Sequence, residues 1–207
     1  MDERQRGRPL PAGTNPNNRT GRFRRIRLAL LGAALATAGL AAAPTAPVAV
    51  AGGCPNADAK PGKLSTSEAR KAVRCLINKR RANAGLPSLD RHRDLQKSAQ
   101  RHNNRMHGTG CFAHQCPGEG SLDTRIRSTG YLNGADRWKY AENVAWGRKK
   151  RGSPANIVKA WMHSSGHRAN ILSNDFRDLG VGFDDGTPSS KRASGGVYTI
   201  DFGLAAG

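Results

Sequence analysis

The hydrophobic period changes once along this chain, and that change limits the folds open to it. From Ser65 to about Ser164 apolar residues recur every three or four positions. Beyond that, LGVGFDD and GGVYTIDFG read as two strands joined by the polar loop GTPSSKRAS. Helices first and an antiparallel pair last predict an α+β domain built in layers. Ser65 with Glu68 forms a capping box ahead of Ala69, Val73, Leu76 and Ile77, a helix that stops at Gly85. Residues 91 to 107, with Leu95, Ala99, His102 and Met106 on one stripe, predict a second helix capped by Asp90. A short third helix runs from Ser121 to Gly130, and Ser153-Pro154 opens a fourth that carries Ile157, Val158 and Trp161 and runs out at Ser164, Ser165 and Gly166.

The first fifty residues do not look like part of this domain. Residues 1 to 27 contain eight arginines, residues 28 to 43 form an apolar run of 16, and APVAVA ends at Ala51 as an A-x-A exit. That order is expected of a secretory signal peptide cleaved near Ala51. Sixteen residues rich in Ala and Gly fall short of the roughly 20 that span a bilayer, so no membrane anchor is expected in the mature chain. The remainder divides into an N-terminal linker, 52–65, and one folded domain, 66–207, expected to be a secreted monomer.

Past Ala51 the chain has 26 Lys and Arg against 13 Asp and Glu, a net charge of about +13. Such a surface attracts anionic polymers over long range. The basic residues are scattered, without interleaved aromatics or a nucleic-acid motif, which argues against a specific nucleic-acid partner.

Four cysteines follow the signal: Cys54, Cys75, Cys111 and Cys116. An even count in an exported chain implies disulfides, with three possible connectivities. Cys54 with Cys75 would tie a loose N-terminus to a helix, and Cys111 with Cys116 would close a tight loop; this pairing is the expected one. Cysteine-ligated zinc needs two closely spaced pairs, and Cys54 and Cys75 are not such a pair.

Chemistry-bearing side chains fall in three segments: FAHQCPGEG around His114, YAENVAWG around Glu142 and WMHSSGHRANIL around His167. The order LINKRRANAGLPSL, AHQCPGEG, GYLNG, AENVAWG, AWMHSSGHRANIL, FRDLGVGF, YTIDFG closely resembles bacterial members of the CAP (SCP-like) superfamily, over roughly residues 68 to 204. The resemblance implies an α/β/α sandwich with a small, three-stranded antiparallel sheet between helical layers and a surface cleft. It also implies that His114, Glu142 and His167 occupy three of the family's two-histidine, two-glutamate cleft positions. Ser164 stands where animal and plant relatives carry the second glutamate.

Two imidazoles and a carboxylate match a zinc site with an open position, so His114 and His167, with Glu142, are candidate ligands for zinc or another divalent cation. The competing reading is a hydrogen-bonded structural or ligand-binding cluster. His163 lies four residues before His167, but the glutamate of a zinc-protease helix is missing and SSG intervenes, so His163 is read as a surface residue. Ser164 and Ser165 lie in no nucleophile turn, and no catalytic residue is assigned. The function expected is non-enzymatic binding of a lipid, glycan or protein ligand outside the cell or in its envelope. The alternatives are a metal-dependent peptidase or wall-active hydrolase and a charge-driven polyanion binder.

Overall fold

Each predicted helix forms, and two strands the periodicity did not announce complete the sheet. The computed structural model describes residues 53–190 and 193–207, so the expected signal peptide, 1–51, lies outside the described residues. In chain order the elements are a 3-10 turn Pro61–Lys63, α1 Thr66–Ala82, β1 Asp90–Arg91, α2 Arg93–Thr109, α3 Leu122–Arg127, β2 Arg137–Arg148, a 3-10 turn Lys149–Gly152, α4 Pro154–His163, α5 Ser165–Ile171, β3 Asp178–Asp185 and β4 Gly195–Ala206.

The capping box at α1 is complete: Ser65 Oγ accepts from the Glu68 N–H at 3.2 Å, and the Ser65 N–H donates to the Glu68 carboxylate at 2.8 Å. The cap of α2 is not Asp90. The Asp90 N–H donates to Arg177 O at 2.8 Å and that of His92 to Leu179 O at 3.0 Å, which keeps residues 90–92 extended as β1. The helix therefore starts later, with His92 Nδ1 accepting from the Asp94 N–H. Likewise SSGHRANI is not the mere end of α4. Ser164 takes an extended conformation (φ −98°, ψ 124°), and the chain turns immediately into α5.

The sheet has the order β1-β3-β4-β2, with β1 parallel to β3 and the other pairs antiparallel. It is thus a mixed four-stranded sheet, the parallel pair being only two residues long. β2 escaped the pattern because its inward residues are small or polar (Ala141, Asn143, Ala145), so no run of large apolar residues marks it.

One face of the sheet presents Leu179, Val181, Phe183, Tyr198, Ile200 and Phe202 to α1, α4 and α5, where Trp161 is buried and donates its Nε1–H to Val144 O. On the other face Gly180 and Gly182 lie directly under α2. Disulfides join Cys54 to Cys75 and Cys111 to Cys116, the pairing expected from spacing. The first fixes the described part of the 52–65 segment to α1, and Pro61 is buried there. No helix among the described residues is long and apolar enough to cross a membrane.

Candidate functional site

β2 positions the site through its two-residue period. Trp138, Tyr140, Glu142, Val144 and Trp146 share one face, and the segment from Cys111 to Arg127 lies along it. Phe112 meets Trp146 edge-on at 6.5 Å, Cys116 packs with Val144, and His114 Nδ1 is 2.8 Å from Glu142 Oε1. Further along, the Tyr140 hydroxyl donates to Asp123 and the Arg127 guanidinium sits over Trp138. The five-residue disulfide step sets where the loop's side chains fall on the strand.

Glu142 is buried, and both its oxygens are engaged. Arg125 Nη1 donates to Oε2 at 2.8 Å, opposite the His114 contact, and Arg125 Nη2 donates to the His114 carbonyl at 3.0 Å. Burial would push the Glu142 carboxyl up, but the His114 hydrogen bond and the charges of Arg125 and His102 outweigh it, and the net direction is down. Beneath this pair, fully buried His102 of α2 contacts Glu119 Oε2 through Nδ1 at 2.8 Å and Ala113 O through Nε2 at 3.0 Å. The sequence pattern puts His102 on an apolar helix stripe and singles out neither Arg125 nor Glu119. The available signal was an ionisable residue on each apolar face: His102 between Ala99 and Met106, and Arg125 beside Ile126.

Asp201 stands directly across from Glu142 in the β2–β4 register. It is buried, and neither carboxyl oxygen has a hydrogen-bond partner among the described residues. Burial first, then the charge of Glu142, hold its pKa well above the carboxylate range, with partial relief from Arg125. The fold therefore favours protonated Asp201. An acid raised on folding stabilises at low pH, and that contribution fades as pH climbs above the unfolded-state value of about 3.9. Asp201→Asn, which mimics the protonated shape, is expected to match or exceed wild-type stability at pH 7 and to lose that advantage below about pH 4. Thermal unfolding at the two pH values checks this; a variant clearly less stable at pH 7 would show the ionised form to be required.

The structure joins His114 to Glu142 directly, with the His114 side chain 41 % exposed. His167 is half-buried on α5, and its carbonyl accepts from Asn143 Nδ2 at 3.1 Å. Asn170 Nδ2 donates to Asn143 Oδ1 at 2.9 Å and to Glu142 O at 3.4 Å. These two asparagines clamp α5 onto β2. Ser164 is half-buried at the head of α5 and makes no side-chain capping bond. His163 is exposed at the end of α4 and shares no continuous helix with His167.

Both Glu142 oxygens and one His114 nitrogen are spent on each other and on Arg125, and among the described residues no group of three or more His, Cys, Asp or Glu side chains is arranged to hold an ion.

The profile described as "CAP: Cysteine-rich secretory protein family" matches residues 75–202, more than half of the chain. The chain belongs to the CAP family. Its CAP domain is similar to the uncharacterized protein YkwD of Bacillus subtilis (strain 168), 37% identical over 139 residues that make up 67% of this chain and 48% of that protein. It is also similar to the uncharacterized membrane protein YlbC of the same strain, 32% identical over 61% of this chain and 34% of that protein. The chain thus spans less than half the length of these two relatives.

Solved CAP-type structures share the fold. An extracellular protein containing a SCP domain from Bacillus anthracis str. Ames superposes with a TM-score of 0.55 at 24% identity, over 70% of this chain and 42% of that one. An outer surface protein from Borrelia burgdorferi gives 0.57 at 19% identity, over 69% of this chain and 96% of that one.

Proposed function

We propose that this chain is exported, cleaved near Ala51, and acts as a non-enzymatic CAP-domain module that binds a lipid, glycan or protein ligand in the envelope or outside the cell. The observation that carries this reading is the closed electrostatics of Glu142. It is held on one oxygen by His114 and on the other by Arg125, each at 2.8 Å, and it lacks the raised pKa of a general acid. What the site offers outward is His114 and the exposed aromatic pair Phe112 and Trp146, an apolar platform beside a hydrogen-bonding ring. The two disulfides suit an oxidising compartment. The extracellular and outer-surface proteins of like fold agree with that setting.

The test pairs a binding arm with a metal arm. Tryptophan emission is followed while peptidoglycan fragments and lipid vesicles are titrated onto the wild type and onto Trp146→Ala, and bound zinc is measured after dialysis for the wild type and a His114→Ala/His167→Ala variant. The expected result is saturable binding of one ligand class, lost in Trp146→Ala, with no stoichiometric zinc. Stoichiometric zinc that disappears in the double variant would instead favour the metal-dependent hydrolase.

A further inference from the structure

At the far edge of the sheet from Glu142, a groove of about 310 Å³ runs between α1 and α2. Its walls are Arg70, Lys71 and Arg74 from α1, Arg91 from β1 and Gln96 from α2, over a floor of Leu179 and Val181 from β3. Four cations and no acid line it, and among the described residues none of the four forms an ion pair. Like charges gathered at one recess favour a bound anion there.

Two observations show that the groove is prepared rather than incidental. Arg70 is half-buried and fixed: its Nη2 donates to Gln100 Oε1 at 2.7 Å across the sheet edge, while its buried Nε has no hydrogen-bond partner. A buried guanidinium N–H without an acceptor is costly. Burial pushes the Arg70 guanidinium down from its ordinary value, Asp184 offsets this in part, and the like charge of Arg91 adds to the depression.

The second observation is the strand edge. β1 pairs with β3 only at Asp178 and Leu179, and Gln100 then covers Phe183, accepting from its N–H at 3.0 Å and donating to its carbonyl at 3.3 Å. Odd residues of β3 turn their backbone groups to this edge, and Val181 lies buried between those two caps. Guanidinium forks and an ammonium group gathered at one recess form the donor set that oxyanions select.

We propose that this groove binds the phosphodiester groups of a soluble anionic chain. Phosphate suits the arginines' paired donors, and a recess with an apolar floor fits a chain lying along the edge better than a flat bilayer. The site is separate from the His114 cleft and does not depend on the reading given for that cleft.

The experiment measures binding of inorganic phosphate, of a soluble poly(glycerol phosphate) chain and of phosphatidylglycerol vesicles to the full chain by calorimetry at two salt concentrations. Arg74→Gln/Arg91→Gln removes two groove cations that hold no side-chain hydrogen bond among the described residues, so its thermal midpoint should not move. It is expected to weaken the polymer about tenfold or more. Arg70→Gln added to it should weaken the polymer further. Lys149→Gln/Lys159→Gln, an equal change in charge on exposed residues elsewhere, should leave affinity within about twofold. Phosphate binding weakly with the same dependence on Arg74 and Arg91 would place the phosphoryl group itself in the groove. Equal losses in the two double variants would reduce the effect to net charge and overturn the site, and vesicle binding without polymer binding would overturn the ligand.

Discussion

Arg125→Met is expected to destabilise the protein by about 3–5 kcal/mol, the usual consequence of removing one partner of a buried ion pair. Arg125 is the cation set among Glu142, Glu119 and Asp201, with its side chain 7 % exposed. Without it Glu142 keeps only His114 and His102 against full burial. Urea unfolding at pH 7 reads the loss. Arg127→Met serves as the control, since Arg127 pairs with Asp123 on the surface and should cost about 1 kcal/mol or less. The pH dependence fixes the cause. In the wild type the Glu142 pKa is lowered on folding, so its contribution is present above the unfolded-state value of about 4.3 and lost as pH falls through the folded one. In the variant burial raises that pKa instead, so the deficit should narrow as the medium is acidified and Glu142 protonates. A deficit that stays constant with pH would assign the loss to packing of the arginine stem alone.

How much of this was legible in the sequence depends on whether the signal was periodic. Helices α1 to α4 announced themselves through apolar spacing and through Ser65, Ser121 and Pro154 at their starts, all close to where the structure has them. α5 did not, because SSG reads as a stop and only the extended Ser164 separates two helices there. β2 was hidden because a strand with aromatic, carboxylate and asparagine side chains has no alternation of polarity to detect. The site was half legible. His114 and Glu142 came from motif resemblance, and the structure does join them. Arg125 and Asp201 are distant from Glu142 in sequence and become its neighbours only through α3 packing and the β2–β4 register. The groove at the opposite edge has no motif at all, since it depends on β1 pairing with only two residues of β3.

That geometry rests on how closely α2 lies on the sheet, which makes Gly180 the position of the other large effect. A Cβ there would sit 2.0 Å from the Gln96 nitrogen and 2.1 Å from the Leu95 carbonyl carbon, both backbone atoms of α2. No rotamer change relieves such a clash; the helix must lift. Gly180 also faces Asp201 in the β3–β4 register, and Asp201 faces Glu142, so the lifted helix would carry His102 off Glu119 and Asn103 off Thr199. Overpacking usually costs about 1–3 kcal/mol, and adding the loss of these buried hydrogen bonds puts Gly180→Ala beyond about 3 kcal/mol. Gly108→Ala, in the same helix with nothing within 4 Å of the added methyl, should be neutral or stabilise by up to about 1 kcal/mol. Soluble yield and thermal midpoint of the two variants compare the effects directly. If Gly180→Ala unfolded within a few degrees of the wild type, α2 would have room to move over β3, and the buried His102 and Asn103 contacts could not depend on close approach of helix and strand.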